Sequence, residues 1–386
     1  MDDIKWLQGK GKPGIKSFFQ DILTRGLIDT VLMPAKNKKG NSYAWFLMNK
    51  DGFLETSDPI PPVMTIQGAN ILKNITKKGE SWSKTAVVLR PCELRAVIEL
   101  TKLEQINLEN IILISFDCPG AYPLTQYISG DQTSLDQKYD SSLYTASFET
   151  ERNACIMCDK FTGQGADIQL CFLGQSDDGF LISAASAKGK ELLKDVNGTN
   201  EENLEIKTKK RDELLGQLQK EKNEKRQVIL DRFKETIYGT DNLLNVFSAC
   251  INCHNCRRAC PICFCSECYF ESKALYSEAD NQLNRATRKN ALRMPSDLLL
   301  FHLGRMNHMS ISCVSCGACE DACPENIPVS LLFSLVSRDT QAVFNYDPGH
   351  SLEEPLPFVV YKNEELKEYE AHYTKRHQSA CNCNTK

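Results

Sequence analysis

The stretch Cys250-Ile-Asn-Cys253-His-Asn-Cys256-Arg-Arg-Ala-Cys260-Pro261 has the spacing C-x2-C-x2-C-x3-C-P, and the chain repeats it from Cys313 to Pro324. In bacterial ferredoxins the first three cysteines of such a run hold one [4Fe-4S] cluster and the fourth binds the other cluster. The repeat therefore predicts two clusters with crossed ligands. One is held by Cys250, Cys253, Cys256 and Cys323, and the other by Cys313, Cys316, Cys319 and Cys260. Structural zinc is the alternative, but zinc sites normally use two separate C-x2-C dyads or add histidine.

Length and composition describe an ordinary globular chain. Its 386 residues are 41% hydrophobic and 25% charged, which is enough to bury a core in two or three domains. A net charge of -4, with lysines and acids interspersed, is not that of a nucleic-acid-binding protein. The N-terminus has no apolar signal segment, and no apolar run is long enough to span a membrane. With 18 cysteines, such a chain is expected in the reducing cytoplasm.

Residues 15 to about 120 alternate apolar runs of strand length with amphipathic segments of helix length, which predicts an α/β domain. The unit from Thr85 to Phe116 fits a right-handed crossover between two parallel strands. The candidate strands are Asp29–Met33, Tyr43–Met48, Thr85–Leu89 and Ile111–Phe116, and the candidate helices are Ile15–Arg25, Gly68–Lys77 and Glu93–Leu103.

Two cysteines follow neighbouring strands of this predicted sheet. Cys92 follows the first strand of the crossover and Cys118 follows the second, so both thiols should emerge at the carboxyl edge, where open α/β folds bind ligands. A further pair, Cys155-x2-Cys158, lies downstream. These four thiols suffice for a third [4Fe-4S] cluster. The alternative is that they are unrelated thiols in a reducing cell.

The interval between the two ferredoxin runs is too long for a compact ferredoxin hairpin. Its candidate helices, Glu278–Leu292 and Asp297–Met309, favour an α-helical ferredoxin-like module.

Arg257 and Arg258, inside the first run, either stabilise reduced clusters or face solvent. The remaining cysteines are open to three interpretations: a zinc site, a fourth cluster, or spare ligands beside the first. They are Cys263, Cys265 and Cys268, with Cys171, Cys381 or Cys383 as a possible fourth member.

Several short motifs follow one another over roughly residues 14 to 185. They are Gly26-Leu-Ile-Asp29-x-Val31, Pro91-Cys92, Phe116-Asp-Cys118-Pro-Gly120, Cys155-x2-Cys158-Asp159, and Ala166-Asp167-Ile168 with Gly174. Their order resembles the beta subunits of coenzyme F420-dependent hydrogenases and dehydrogenases. The C-terminal half is similar to the formate dehydrogenase branch, through Cys260-Pro-Ile-Cys263-Phe-Cys265-x2-Cys268 and Phe301-His-Leu-Gly-Arg305.

The resemblance implies an FAD beside a third cluster held by Cys92, Cys118, Cys155 and Cys158. It puts the flavin along a glycine-spaced stretch where the backbone can approach a ring or phosphate closely. The implied contacts are Asp159, Phe161, Gly163, Gly165, Asp167, Gly174 and Ser176. The alternative is a surface turn followed by a strand from Asp167 to Leu173. The chain departs from the family at Gly11-Lys12-Pro13-Gly14, and at Glu93, which follows Cys92 where the family has glutamine.

The resemblance also implies a domain order. An α/β flavin and [4Fe-4S] domain would occupy residues 1–198, and a charged helical linker residues 199–240. An α-helical ferredoxin-like domain with two [4Fe-4S] clusters would follow over 241–345, with a partly disordered extension over 346–386.

These features predict an iron-sulfur flavoprotein oxidoreductase subunit. FAD would exchange a hydride with a soluble carrier, coenzyme F420 or a related deazaflavin or nicotinamide. Single electrons would then pass through the clusters to or from a partner: a formate dehydrogenase, hydrogenase or heterodisulfide reductase-type subunit. The alternative is a flavin-free relay and docking subunit of a larger redox complex. The sequence offers no P-loop, catalytic triad or H-E-x-x-H zinc motif, so no side chain is assigned a catalytic role.

Overall fold

The computed structural model describes residues 3–145, 148–150, 152–176, 178–198, 204–275 and 278–360. Its α/β part is built on a 7-stranded sheet in the order β1-β7-β6-β5-β4-β2-β3. Strands β2, β4, β5 and β6 run parallel, and the other three pair antiparallel at the two sides of the sheet. The strands are β1 Ile4–Gln8, β2 Thr30–Lys36, β3 Tyr43–Met48, β4 Thr85–Leu89, β5 Ile111–Phe116, β6 Ile168–Cys171 and β7 Gly179–Ala184.

Helices cover both faces of this sheet and form the rest of the described chain. In the first half they are α1 Gly11–Thr24, α2 Gly68–Thr76, α3 Pro91–Lys102, α4 Leu124–Ser129, α5 Gln132–Ser142, α6 Asn153–Ile156 and α7 Ala187–Asp195. In the second half they are α8 Leu204–Ile237, α9 Thr240–Val246, α10 Asn255–Ala259, α11 Ala279–Lys289, α12 Leu298–Met309, α13 Ala318–Asp321 and α14 Val329–Phe344.

The crossover predicted between Thr85 and Phe116 is present. Strands β4 and β5 pair in parallel, and every residue in both strands is buried, because helices cover both faces. Helix α3 starts at Pro91, two residues before the predicted start. Proline is favoured in the first turn, and the carboxylate of Glu93 accepts a hydrogen bond of 2.9 Å from the Arg90 amide.

The charged segment predicted as a linker forms the single helix α8, and its packing differs from a solvated link. Arg211 is buried against Asp117 and donates to both of its carboxylate oxygens. Farther along, Arg226 donates to Asp159 at 2.5 Å, and Leu230 is fully buried. Helix α8 therefore packs against the α/β part through Arg211 and Arg226, which its overall charge did not indicate.

The ferredoxin part is helical, as the long interval between its cysteine runs predicted. The chain after α14 returns to the α/β part, where Tyr346 donates to the buried Glu99 at 2.6 Å and the Gly349 amide donates to the same oxygen at 2.8 Å. The predicted disorder of the tail, together with Cys381 and Cys383, lies outside the described residues. Within the described ranges, no helix combines the length and apolar character needed to cross a membrane.

Candidate metal centres and cofactor site

The four thiols predicted to form the third site line one cavity, and we call them the sheet-edge thiols. They are Cys92, Cys118, Cys155 and Cys158. The crossover delivers the first two, since Cys92 lies in the first turn of α3 and Cys118 lies two residues after β5. The short helix α6 and the turn after it deliver the other two. Residues separated by up to 66 positions are therefore brought together at the carboxyl edge of the sheet.

Two buried arginines donate to these thiols. Arg90 Nη1 lies 3.3 Å from Cys118 Sγ, and Arg152 Nη1 lies 3.2 Å from Cys155 Sγ. Burial, with the neighbouring thiolates, raises the pKa of Cys158 to about 11 and also raises the pKa of Cys118. Free thiols here would keep their protons, whereas metal coordination removes them. The arginines would then balance the charge of a thiolate-bound cluster.

The ferredoxin cysteines form two further groups. The middle thiols, which line a second cavity, are Cys260, Cys313, Cys316 and Cys319. Burial and the charge of Cys260 raise the pKa of Cys316 to about 12, so Cys260 lies beside the second run. The outer thiols are Cys250, Cys253, Cys256 and Cys323. Burial, together with the other three outer thiols, raises the pKa of Cys256 to about 11, although Arg305 opposes this. The fourth cysteine of each run thus lies with the other run.

The sheet-edge and middle cavities share a wall. Cys316 lines both of them, and its charge contributes, after burial, to the raised pKa of Cys92. Arg152 joins the two sides, because its Nη2 donates to the Cys316 carbonyl at 2.8 Å and its Nε donates to Asp321 at 2.7 Å. The three thiol groups therefore follow one another as sheet-edge, middle and outer.

The sheet-edge thiols and the middle thiols each surround a cavity. Among the described residues, no three Cys, His, Asp or Glu side chains are grouped so as to hold a single metal ion. A structural zinc ion needs four donors on one atom, whereas the thiolates of a cubane cluster bind separate irons. The cavities with their cationic surroundings fit [4Fe-4S] clusters.

The remaining described cysteines do not gather into a further site. Cys171 packs in the sheet with Trp6 and Leu181, so it does not join Cys263. Cys263 hydrogen-bonds to Cys260, which lowers the pKa of Cys260, and its Sγ lies 3.3 Å from Met309 Sδ. Cys265 is exposed and Cys268 is partly buried.

Internal packing accounts for the glycines of the predicted flavin stretch. A Cβ on Gly163 would lie 2.7 Å from the Ser115 Cβ, and one on Gly174 would lie 3.2 Å from the Arg211 Cα. Gly165 has a left-handed φ of +91° and faces Ile98. Strand β6, at Ile168–Cys171, follows this turn, as the alternative interpretation predicted.

The polar and aromatic members of the same stretch also have protein partners. Asp167 accepts from the Leu113 amide at 2.7 Å and from Ser186, while Ser176 donates to the nearby Asp178. Phe161 is buried and lines the sheet-edge cavity. Asp159 lies on a different and larger cavity.

This larger cavity, which we call the central cavity, has a volume of about 510 Å³. It adjoins two sheet-edge thiols and one middle thiol, Cys92, Cys158 and Cys313. Four cations and two carboxylates line it, namely Arg95, Lys160, Arg226 and Arg338 with Asp159 and Asp347. Volume and net positive charge fit a nucleotide cofactor with a diphosphate.

The buried arginine beside the outer thiols was not identified from the sequence. Arg305 Nη1 donates to Cys256 Sγ at 3.0 Å, and His302 Nε2 lies 3.4 Å from Cys250 Sγ. The arginines proposed within the first run behave otherwise, because Arg257 pairs with Glu271 at 2.9 Å and Arg258 is exposed. The sequence did contain a signal for the arginines at the sheet-edge thiols. Arg90 lies two residues before Cys92, and Arg152 lies three residues before Cys155.

Glu93, where the chain departs from the family pattern, has a structural role. Its two oxygens accept from the Gly68 amide at 2.8 Å and the Arg90 amide at 2.9 Å. Burial raises the pKa of this carboxyl, against the pull of Arg90. Glu93 therefore ties the first turns of α2 and α3 together beside Cys92.

Comparison with known proteins agrees with the ferredoxin-like part. Residues 246–327 match the family described as the 4Fe-4S dicluster domain. The chain thus combines a mixed α/β sheet domain with a helical region that contains a 4Fe-4S dicluster domain.

Relatives with assigned names cover nearly the whole chain. The F420-dependent formate dehydrogenase subunit beta of Methanocaldococcus jannaschii is 25% identical over 367 residues, spanning 87% of this chain and 91% of that protein. The F420-dependent formate dehydrogenase 1 subunit beta of Methanococcus maripaludis is 28% identical over 390 residues, spanning 90% and 93%.

Among solved structures, a chain of the F420-reducing [NiFe] hydrogenase complex from Methanosarcina barkeri has a TM-score of 0.42 and 15% identity, covering 62% of this chain and 93% of that one. This likeness is too slight to support a conclusion. The two named relatives align over most of their own length and of this chain. Over most of its length the chain is therefore a homologue of the beta subunits of F420-dependent formate dehydrogenases, and it is an oxidoreductase subunit.

Proposed function

We propose that the chain carries three [4Fe-4S] clusters, held by the sheet-edge, middle and outer thiols, and conducts single electrons between a bound flavin and a partner subunit. The observation that supports this most strongly is the wall shared at Cys316 between the sheet-edge and middle cavities. Two clusters on either side of one residue are close enough to exchange electrons. The outer thiols, with Cys253 exposed, extend the path to the surface.

The cofactor proposed for the central cavity is FAD. Bound FAD would take a hydride as two electrons and release them singly to iron-sulfur clusters. The cations Arg95, Lys160, Arg226 and Arg338 would hold its diphosphate, with Cys92 and Cys158 close by. Of the contacts expected from the sequence, Asp159 lines this cavity and Phe161 lines the adjoining one, while Gly163 and Gly165 lie in the turn before β6.

Coenzyme F420 is the proposed hydride carrier, and a catalytic dehydrogenase or hydrogenase subunit is the proposed partner. The names of both relatives support this, since each is the beta subunit of an F420-dependent formate dehydrogenase. The division into residues 1–198, 199–240, 241–345 and 346–386 stays a proposal, with the helix of the second segment packed against the first.

The experiment that tests this function uses the chain purified anaerobically, with its flavin absorbance followed during mixing. Reduced F420 is expected to bleach the flavin bands and then the broad iron-sulfur absorbance, while NADH at the same concentration leaves both unchanged. Bleaching by NADH alone would replace the carrier and keep the flavin. A chain with full iron and no extractable flavin would support the relay alternative and contradict the hydride step.

Replacing Arg226 with glutamine tests the central cavity. Loss of one charged hydrogen bond to a phosphate, about 1.5–3 kcal/mol, is expected to weaken FAD retention by about tenfold to a hundredfold. The matched control is Arg232→Gln on the same helix, because Arg232 is exposed. Equal flavin retention in the two variants would exclude this cavity as the diphosphate site.

A further inference from the structure

Arg305 is a buried cation whose surroundings are unusual. It is 3% exposed and donates both to Cys256 Sγ at 3.0 Å and, through Nη2, to the Cys256 carbonyl at 3.1 Å. The rings of Phe301 and Phe333 lie 5.5 and 4.7 Å from its guanidinium carbon. Its Nε has no hydrogen-bond partner among the described residues.

Cysteine sulfurs lie on two sides of Arg305. It donates to Cys256 of the outer thiols, and it lines the middle cavity together with Cys260 and Cys319. No carboxylate forms an ion pair with Arg305 among the residues that the structure describes. The guanidinium therefore lies between the outer and middle thiols with sulfur as its only close counter-charge.

Helix α12 fixes this position. Gly304, next to Arg305, allows the ring of Phe270 to lie against the helix, since a Cβ there would come within 2.3 Å of Phe270 Cζ. Two residues before Gly304, His302 stacks on Phe247 with the ring centroids 3.9 Å apart. The sequence Phe301-His-Leu-Gly-Arg305 is thus a packed support for the outer thiols, and only its arginine faces both groups.

A buried cation without a carboxylate is costly unless another anion compensates it. A thiolate-bound cluster is such an anion. Reduction adds one electron to a [4Fe-4S] cluster, with no bond broken and no proton moved, and it increases the negative charge on the cysteine sulfurs. A fixed cation that donates to these sulfurs stabilises the reduced cluster more than the oxidised one.

We propose that Arg305 is a positioning residue of electron transfer that raises the reduction potentials of two clusters at once, those held by the outer and the middle thiols. This rests on the proposed function, since it needs clusters at both sites. It assigns a role to the Phe301–Arg305 motif that neither the cysteine spacing nor the family resemblance supplies.

The test is a redox titration of the chain with dithionite, followed by EPR, comparing wild type with Arg305→Met. The reduction potentials of both ferredoxin clusters are expected to fall by at least 59 mV, which is a tenfold change in the equilibrium constant of a one-electron couple. The potential of the sheet-edge cluster is expected to stay unchanged. The control is Arg258→Met, which removes the same charge from a side chain that is 69% exposed, and no cluster is expected to shift. The EPR signals of the two ferredoxin clusters are assigned in a parallel set of variants that also carry Cys155→Ala and Cys158→Ala and therefore lack the sheet-edge cluster.

A second variant covers the case in which Arg305→Met loses iron. Arg305→Lys keeps the charge but not the paired donation to Cys256, so the outer cluster alone is expected to shift downward. Unchanged potentials in a variant with full iron, or equal shifts in Arg258→Met, would overturn the proposal for Arg305. A wild-type chain without the two ferredoxin clusters would instead overturn the proposed function.

Discussion

Replacing Cys155 and Cys158 together with alanine is expected to lower the iron content from about twelve to about eight per chain. Both thiols line the sheet-edge cavity, and two ligands cannot retain a cubane cluster. Reduced F420 should then bleach the flavin without reducing the ferredoxin clusters, because the first step of the path is missing. Dithionite should still reduce those clusters directly. Iron analysis and EPR after each reductant measure both effects.

The matched control is the double replacement of Cys265 and Cys268, which have the same C-x2-C spacing. Cys265 is exposed, and neither Cys265 nor Cys268 lines the sheet-edge or the middle cavity. Iron content is expected to stay at the wild-type value. An equal loss of iron from both double variants would mean that the sheet-edge thiols have no special role.

Replacing Asp117 with alanine is expected to destabilise the folded chain by about 3–5 kcal/mol, because it leaves the Arg211 guanidinium buried without a partner. Asp117 is 1% exposed, and its carboxylate also accepts from the amides of Phe172 and Leu173 at 2.9 and 3.1 Å. Burial opposes the charged form of Arg211, yet Asp117 holds its pKa above the ordinary value. Urea unfolding followed by circular dichroism measures the loss.

Asp231→Ala is the control for this prediction. Asp231 lies on α8 and pairs with Arg338 at 3.0 Å, but solvent screens this pair. Its unfolding midpoint should therefore remain near that of the wild type. Similar midpoints for the Asp117 and Asp231 variants would show that α8 is not held to the sheet by the buried pair.

Local patterns in the sequence were sufficient for part of this fold. The bounds of β3, β4 and β5 agree with the predicted strands, because each is a short and mostly apolar run. The prediction that Cys92 and Cys118 emerge at one edge followed from the parallel direction of the two strands that a single crossover joins. The structure brings these thiols to the same cavity.

Features that depend on distant contacts could not be read in this way. Strands β1 and β7 were not predicted, and they pair with each other although more than 170 residues separate them in sequence. The composition of α8 predicts a solvent-exposed helix, because nothing in the local sequence distinguishes the one buried arginine from the many exposed charged residues. Arg305 is separated by 49 residues from the cysteine to which it donates. The position of Arg305 depends on the packing of α12 against the first cysteine run, which local sequence does not indicate.

The central claim is that twelve thiols hold three cubane clusters in one path. Iron and acid-labile sulfide analysis with Mössbauer spectroscopy, on chain purified anaerobically, tests it most directly. Three such clusters would give about twelve irons per chain, all in [4Fe-4S] environments. A value of about eight irons would contradict the sheet-edge cluster, and zinc in place of iron would contradict all three clusters.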